Sequence, residues 1–300
     1  MANVTVVIPV HNAGKYLAEC LASVECQSLR DIEVLCLDDA STDESAAMCQ
    51  QFAQDDERFK VVSFDESRGA AGARNAGIAM ATGDYLMFMD ADDWYPTDKV
   101  LERLYRAAVE HDALIVGGSF SEYDEKTGKV RTKFKGHQAC YSFDSEGFIE
   151  YADWQGDIGF HRFMFKRAFL VENDVTYPAF LRYEDPVFLV NAMIAAGRFY
   201  AVPDVVYRYR FNHKELALRE RALSDAIEAH AELLVTASNN DLPRLREWVI
   251  ESLTWHLATQ TPEAQEAHRE AEAVRQSKSY RLGNLVMGPI RALTDALHGR

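Results

Sequence analysis

Two groups of aspartates stand directly behind apolar runs of this sequence. Asp38 and Asp39 follow IEVLCL (32–37), and Asp90, Asp92 and Asp93 follow YLMFM (85–89). Carboxylates crowded at the end of a buried strand are in conflict, because each loses water and repels its neighbours. A divalent cation removes that conflict. All-oxygen ligands of this kind suit Mg²⁺ or Mn²⁺, which bridge carboxylates to a diphosphate. The plainer alternative is solvated helix capping, which is the reading adopted for Asp43. For a D-x-D-D behind so apolar a run, cation binding is the stronger reading.

The elements that must position these groups alternate in the first half of the chain. Short apolar runs at 4–10, 32–37, 59–64 and 85–89 read as buried strands. Between them, Asn12 is expected to cap a helix carrying Leu17, Leu21 and Val24, and Ser41–Glu44 to form a capping box. GAAGARNAGIAMA (69–81) reads as a helix of small residues. Such alternation predicts an α/β fold with a mostly parallel sheet flanked by helices, and ligands gather beyond the carboxyl ends of such strands. Further strands are expected at 114–123, 130–134, 160–165 and 199–211, with a helix over 186–196. From Lys214 onward the pattern is helical, which predicts domains of 1–213 and 214–300.

Four blocks give the chain a wider resemblance: VVIPVHNAGKYLAECLASVECQS (6–28), VLCLDDASTDES (34–45), GAAGARNAGIAMATGDYLMFMDADDW (69–94) and RYEDPVFLV (182–190). In order and spacing the sequence resembles the family 2 glycosyltransferases, inverting enzymes of the Rossmann-like GT-A fold. The resemblance implies transfer of a sugar from a nucleotide-diphosphate donor, most often a UDP-sugar, to an acceptor hydroxyl, here with a C-terminal helical extension. It places Pro9, Val10, His11 and Asp39 around the nucleoside. Asp90 would face the ribose or the metal, Asp92 would ligate Mn²⁺ or Mg²⁺, and Asp93 would support the loop. Arg74 would reach the diphosphate or these carboxylates, and Arg68 the base. In the family's ED motif the aspartate, here Asp185, is the general base; a carboxylate is ionised at neutral pH and can take the acceptor's proton. The alternative for Glu184 and Asp185 is charge placed at a helix start ahead of Pro186. His213 is a further candidate metal or phosphate contact. Trp94, Trp154 and Tyr183 are sugar-stacking candidates or packing residues.

Composition excludes other classes. A formal net charge of −15 argues against a nucleic-acid binder. The five cysteines have no CxxC spacing and suggest neither a disulfide framework nor a zinc site. No basic and apolar leader is visible, and no apolar stretch approaches the ~20 residues of a membrane span, so the expected compartment is the cytoplasm. The stretch 277–300 is basic and amphipathic, similar to tails of bacterial glycosyltransferases that build envelope polysaccharides on lipid carriers. It predicts peripheral attachment to the inner face of the membrane; packing on the catalytic domain, or on a second subunit of a homo-oligomer, is the alternative. A glycan or lipid-linked glycan is the expected acceptor. The competing functions are a catalytically inactive nucleotide-sugar-binding relative and an aspartate-nucleophile phosphatase. The phosphatase would want its D-x-D after the first strand, where this chain has His11-Asn12. A dinucleotide-binding protein is disfavoured because no G-x-G-x-x-G follows that strand.

Overall fold

β-Branched and aliphatic runs form the strands, and helices return the chain across their faces. A computed structural model describes residues 2–213 and 220–259. In order, the first half contains β1 (Val4–Val10), α1 (Gly14–Glu25), β2 (Ile32–Asp38), α2 (Ser45–Asp55), β3 (Phe59–Ser63), α3 (Gly69–Met80), β4 (Tyr85–Phe88) and α4 (Val100–Glu110). There follow β5 (Ile115–Asp124), β6 (Val130–Arg131), β7 (Gly147–Glu150), α5 (Tyr151–Trp154), β8 (Phe163–Lys166), α6 (Arg167–Glu172), α7 (Glu184–Ala196) and β9 (Arg198–Phe211). The last elements are α8 (Glu220–Asn239) and α9 (Pro243–Thr259). One compact unit ends at Val249 and a second begins at Ile250; every site residue lies in the first. The tail 277–300 lies outside the described residues.

The strands lie in the order β3-β2-β1-β4-β8-β5-β9-β7, with β6 paired to β5. The first four are mutually parallel. β8 enters antiparallel to both β4 and β5, and β9 runs parallel to β5. β2 and β4 lie on either side of β1, so the two aspartate groups emerge on the same edge of the sheet. Strand order reverses beside β1, which is where open α/β sheets leave a crevice.

Alternate residues of the strands feed two buried clusters, one on each face. Val7, Leu35, Leu37 and Phe88 pack with α3, α7 and α8. Val6, Ile8, Cys36 and Met87 pack with α1 and α4. The small residues of α3 permit close approach: a Cβ added at Gly77 would lie 2.3 Å from Val7 Cγ1 and 3.2 Å from Leu37 Cδ1. Gly77→Ala would gain about 1 kcal/mol of helix propensity, but overpacking so dense a contact costs about 1–3 kcal/mol. Net destabilisation is expected, read as a lower urea midpoint; a raised midpoint would refute it.

Three local expectations differ from what forms. Asn12 does not cap α1. It adopts φ 49°, and its Oδ1 accepts the Thr42 amide at 2.9 Å. The Ser41–Glu44 box does not form either, because α2 starts later, at Ser45. Instead Ala13 N donates to Ser45 Oγ at 2.8 Å and Gly14 N to Asp43 Oδ2 at 3.1 Å, while Asp43 Oδ1 accepts Ser45 N at 3.0 Å. Tertiary acceptors therefore replace the local cap at α1, while at α2 the cap stays local and falls to Asp43. Lastly, the expected strand over 160–165 begins with a 3-10 turn at Phe160–Arg162 before β8.

Candidate active site

The D-x-D-D loop leaves β4 and is gripped by β9. Tyr207 Oη accepts the Asp90 amide at 3.1 Å and donates to Asp93 Oδ2 at 2.8 Å. The Arg210 amide donates to Asp93 Oδ1 at 2.7 Å, and Arg210 Nε to the Asp92 carbonyl at 2.9 Å. With both carboxylate oxygens engaged and 1% exposure, Asp93 is built into the loop, in the supporting role the resemblance implied. Asp92 Oδ2 meets His213 Nε2 at 2.8 Å, so this sequence-nominated pair is brought together.

Asp90 is held between two cations or donors. Arg74 Nη2 reaches Oδ1 at 2.8 Å, and His161 Nε2 meets Oδ2 at 2.9 Å. Burial opposes ionisation of Asp90, but His161 and Arg74 prevail and hold its carboxyl far below the usual range. Asp93 goes the other way, pushed well up by burial and then by the charges of Asp92 and Asp90. Ligand atoms of Asp90, Asp93 and His161 lie within 4.8 Å of one another. Crowded carboxylate oxygens with a nearby imidazole are a donor set that fits Mn²⁺ or Mg²⁺, and His213 adds a second imidazole through Asp92.

Arg74 joins this cluster to the start of α7. Its Nη1 donates to Glu184 Oε1 at 2.8 Å, and its guanidinium lies over the rings of Phe160 and Tyr177 at 4.7 and 5.2 Å. Of the two contacts expected for Arg74, the one with the D-x-D carboxylates is made, and the same guanidinium bridges to Glu184. Glu184 and Asp185 occupy the first turn of α7. Burial, and then the charge of Glu184, raise the Asp185 carboxyl to about 8, while Arg74 acts to lower it.

A second group forms where β1 and β2 end. The Asp39 carboxylate accepts from Ser67 Oγ at 2.6 Å, Arg68 N at 2.6 Å and Gly69 N at 2.9 Å. His11 Nδ1 meets the Asp39 carbonyl at 2.7 Å, next to half-buried Pro9 and buried Val10. Arg68 is exposed, its guanidinium 4.1 Å over the Phe64 ring. Asp39 thus satisfies the first amides of α3, and Arg74 lies five residues, roughly 7.5 Å, further along the same helix. α3 links all three acidic motifs.

Residues missed by sequence reasoning are His161, Tyr207 and Arg210. The flanking aromatics of FHRFMF read as strand, so the turn that aims His161 carried no signal. Of the sugar-stacking candidates, Trp154 is a packing residue against Phe199, Phe163 and Arg162. Trp94 packs on Tyr123 and Arg210. Tyr183 precedes α7 in the left-handed region at φ 67°.

Residues 5–171 match the sequence profile described as Glycosyl transferase family 2. The chain is 30% identical over 223 residues to the glycosyltransferase GlyG of Streptococcus pneumoniae, covering 69% of this chain and 70% of that protein. It is also 30% identical over 212 residues to the poly(ribitol-phosphate) beta-glucosyltransferase of Bacillus spizizenii, spanning 69% of this chain but 32% of that longer protein. Among solved structures, S. aureus TarS 1-349 in complex with UDP-GlcNAc superposes with a TM-score of 0.64 at 20% identity, covering 78% of this chain and 67% of that one. Mannosyltransferase PcManGT from Pyrobaculum calidifontis, in complex with GDP-Man and Mn2+, gives 0.53 at 18% identity, covering 98% and 87%.

Proposed function

The chain belongs to glycosyl transferase family 2 and is a glycosyltransferase, and from that premise we propose that it is a metal-assisted inverting enzyme using Asp185 as general base. The observation that supports this reading is the Asp90–Arg74–Glu184 bridge, which ties the D-x-D loop to the first turn of α7, the turn that also carries Asp185. The donor is a nucleotide-diphosphate sugar, with a UDP-sugar preferred. Pro9, Val10, His11, Asp39 and Arg68 surround its nucleoside. Asp90 and Asp92, with His213, hold Mn²⁺ or Mg²⁺, and His161 fixes Asp90. When bound, the cation neutralises the diphosphate and the charge that develops on it as it leaves.

Asp185 takes the proton of the acceptor hydroxyl as that oxygen attacks the anomeric carbon opposite the departing nucleotide. One displacement of this kind inverts the configuration. A phosphate leaving group needs no protonation, unlike the leaving alcohol of a glycosidase. The acceptor is a glycan or lipid-linked glycan of a bacterial envelope, assembled at the cytoplasmic face of the membrane. Among the described residues, no helix is long and apolar enough to cross a bilayer.

The test is a donor screen with Mn²⁺ or Mg²⁺, following nucleotide release before and after chelation. Release is expected to stop with chelator, and Asp92→Ala to weaken metal-dependent donor binding by about 1.5–3 kcal/mol, the loss of one charge-assisted contact. Undiminished release in chelator would refute the metal-assisted reading.

A further inference from the structure

The segment that delivers Asp185 is anchored by a helix that follows the family-matched region 5–171. Residues 175–183 have no helix or strand of their own, so their path is set by what holds them. At one end Asn75, on α3, exchanges two hydrogen bonds with the Tyr177 backbone: Nδ2 donates to its carbonyl at 2.8 Å, and Oδ1 accepts its amide at 2.8 Å. At the other end, two contacts among the described residues are with α8. The Leu181 amide donates to Asp225 Oδ2 at 2.8 Å, and the Tyr183 ring meets His230 with centroids 4.7 Å apart. α8 is itself firmly seated, since Ala229, Leu233 and Ala237 share a buried cluster with Val187, Phe188 and Val190 of α7.

Tyr183 takes φ 67° and ψ 19° immediately before Glu184. A bulky L-residue avoids this left-handed region, and such a conformation persists only where its surroundings over-determine it. We propose that α8 is a positioning element for sugar transfer: Asp225 and His230 fix the entry into α7 and so the direction in which Asp185 presents its carboxylate to the acceptor. This rests on the reading of Asp185 as the base. Neither α8 residue touches reacting atoms. A base works only within hydrogen-bond reach of its proton, and a displacement of 1 Å costs up to about a hundredfold in rate.

Asp225→Ala in the full chain removes the Leu181 anchor from a half-buried position, whereas Asp225→Asn retains an amide oxygen able to accept the same bond. Two readouts are compared: hydrogen–deuterium exchange over 179–187 without substrate, and nucleotide release from UDP-GlcNAc and GDP-mannose with Mn²⁺. For Asp225→Ala we expect about tenfold faster exchange and, with whichever donor turns over, about tenfold lower kcat at unchanged donor affinity. Asp225→Asn should restore both. Wild-type exchange in Asp225→Ala would overturn the proposal, as would reduced donor affinity at unchanged kcat. Asp185→Asn, measured in parallel, separates the two levels of the argument. If it turns over normally, the base assignment fails and this proposal with it. If it is silent while Asp225→Ala matches wild type, only the role of α8 falls.

Discussion

Asp185→Asn is expected to lower sugar transfer by roughly 10²–10⁴-fold, the usual worth of a general base, while leaving donor affinity unchanged. The substitution keeps size and hydrogen-bonding capacity but cannot accept the acceptor's proton, so the loss belongs in kcat. Isothermal titration with the donor, beside single-turnover transfer, separates the two quantities; an Asp185→Asn enzyme transferring at the wild-type rate would refute the assignment. A pH effect accompanies it. In the metal-free protein the Asp185 carboxyl lies at about 8, above its ordinary value of 3.8. A raised folded-state pKa means that stability is fully present below the unfolded value and is lost as pH rises through about 8. Asp185→Asn removes that titration, so the metal-free variant should melt above wild type at pH 9, and the gap should close towards pH 4. Transfer has the opposite dependence, rising with pH as the base ionises. A cation at Asp90 lowers the Asp185 pKa, because it offsets the neighbouring negative charge.

Arg74→Met is the other large effect, and it is one of stability. The guanidinium is 5% exposed and answers two carboxylates, Asp90 and Glu184. Methionine retains much of the aliphatic volume against Phe160 and Tyr177 but takes the guanidinium from Glu184 and leaves Asp90 with His161 alone. Breaking a buried pair in this way costs about 3–5 kcal/mol; the partial exposure of Asp90, 27%, places this case near the lower end. For a unit of this size that corresponds to a drop in Tm of about 6–12 °C. Mn²⁺ should return part of the loss, because a cation beside Asp90 does some of the work of the arginine. A variant that melts with wild type, with or without Mn²⁺, would mean the bridge is incidental.

The parallel half of the fold was legible because its strands are short apolar runs and its helices are punctuated by Gly and Asp. Candidate site residues were legible wherever they lay on such punctuation, as at Asp39, Asp90, Asp92 and Asp185. The remainder depends on groups that meet only after folding. Asn12 and Ser41 looked like caps, but side chains of the loop before α2 supplied the acceptors at the start of α1, and at α2 the acceptor is Asp43 rather than Ser41. His161 carries no local signature, since the turn that aims it at Asp90 is embedded in an aromatic run that reads as strand. Tyr207 and Arg210 were visible only as residues of a strand, and their grip on Asp93 spans 114 and 117 positions of sequence. Long-range pairing of that kind leaves no periodic trace.

That grip bears on how such enzymes can be recombined. Tyr207 and Arg210 come from β9, well past residue 171, yet they shape the loop bearing Asp90, Asp92 and Asp93. A chimera joined at the edge of the matched region would inherit the acidic loop from one parent and its clasp from another. Shuffling between relatives should therefore cut after His213, so that the loop, the strand that shapes it and the histidine paired with Asp92 travel as one cassette.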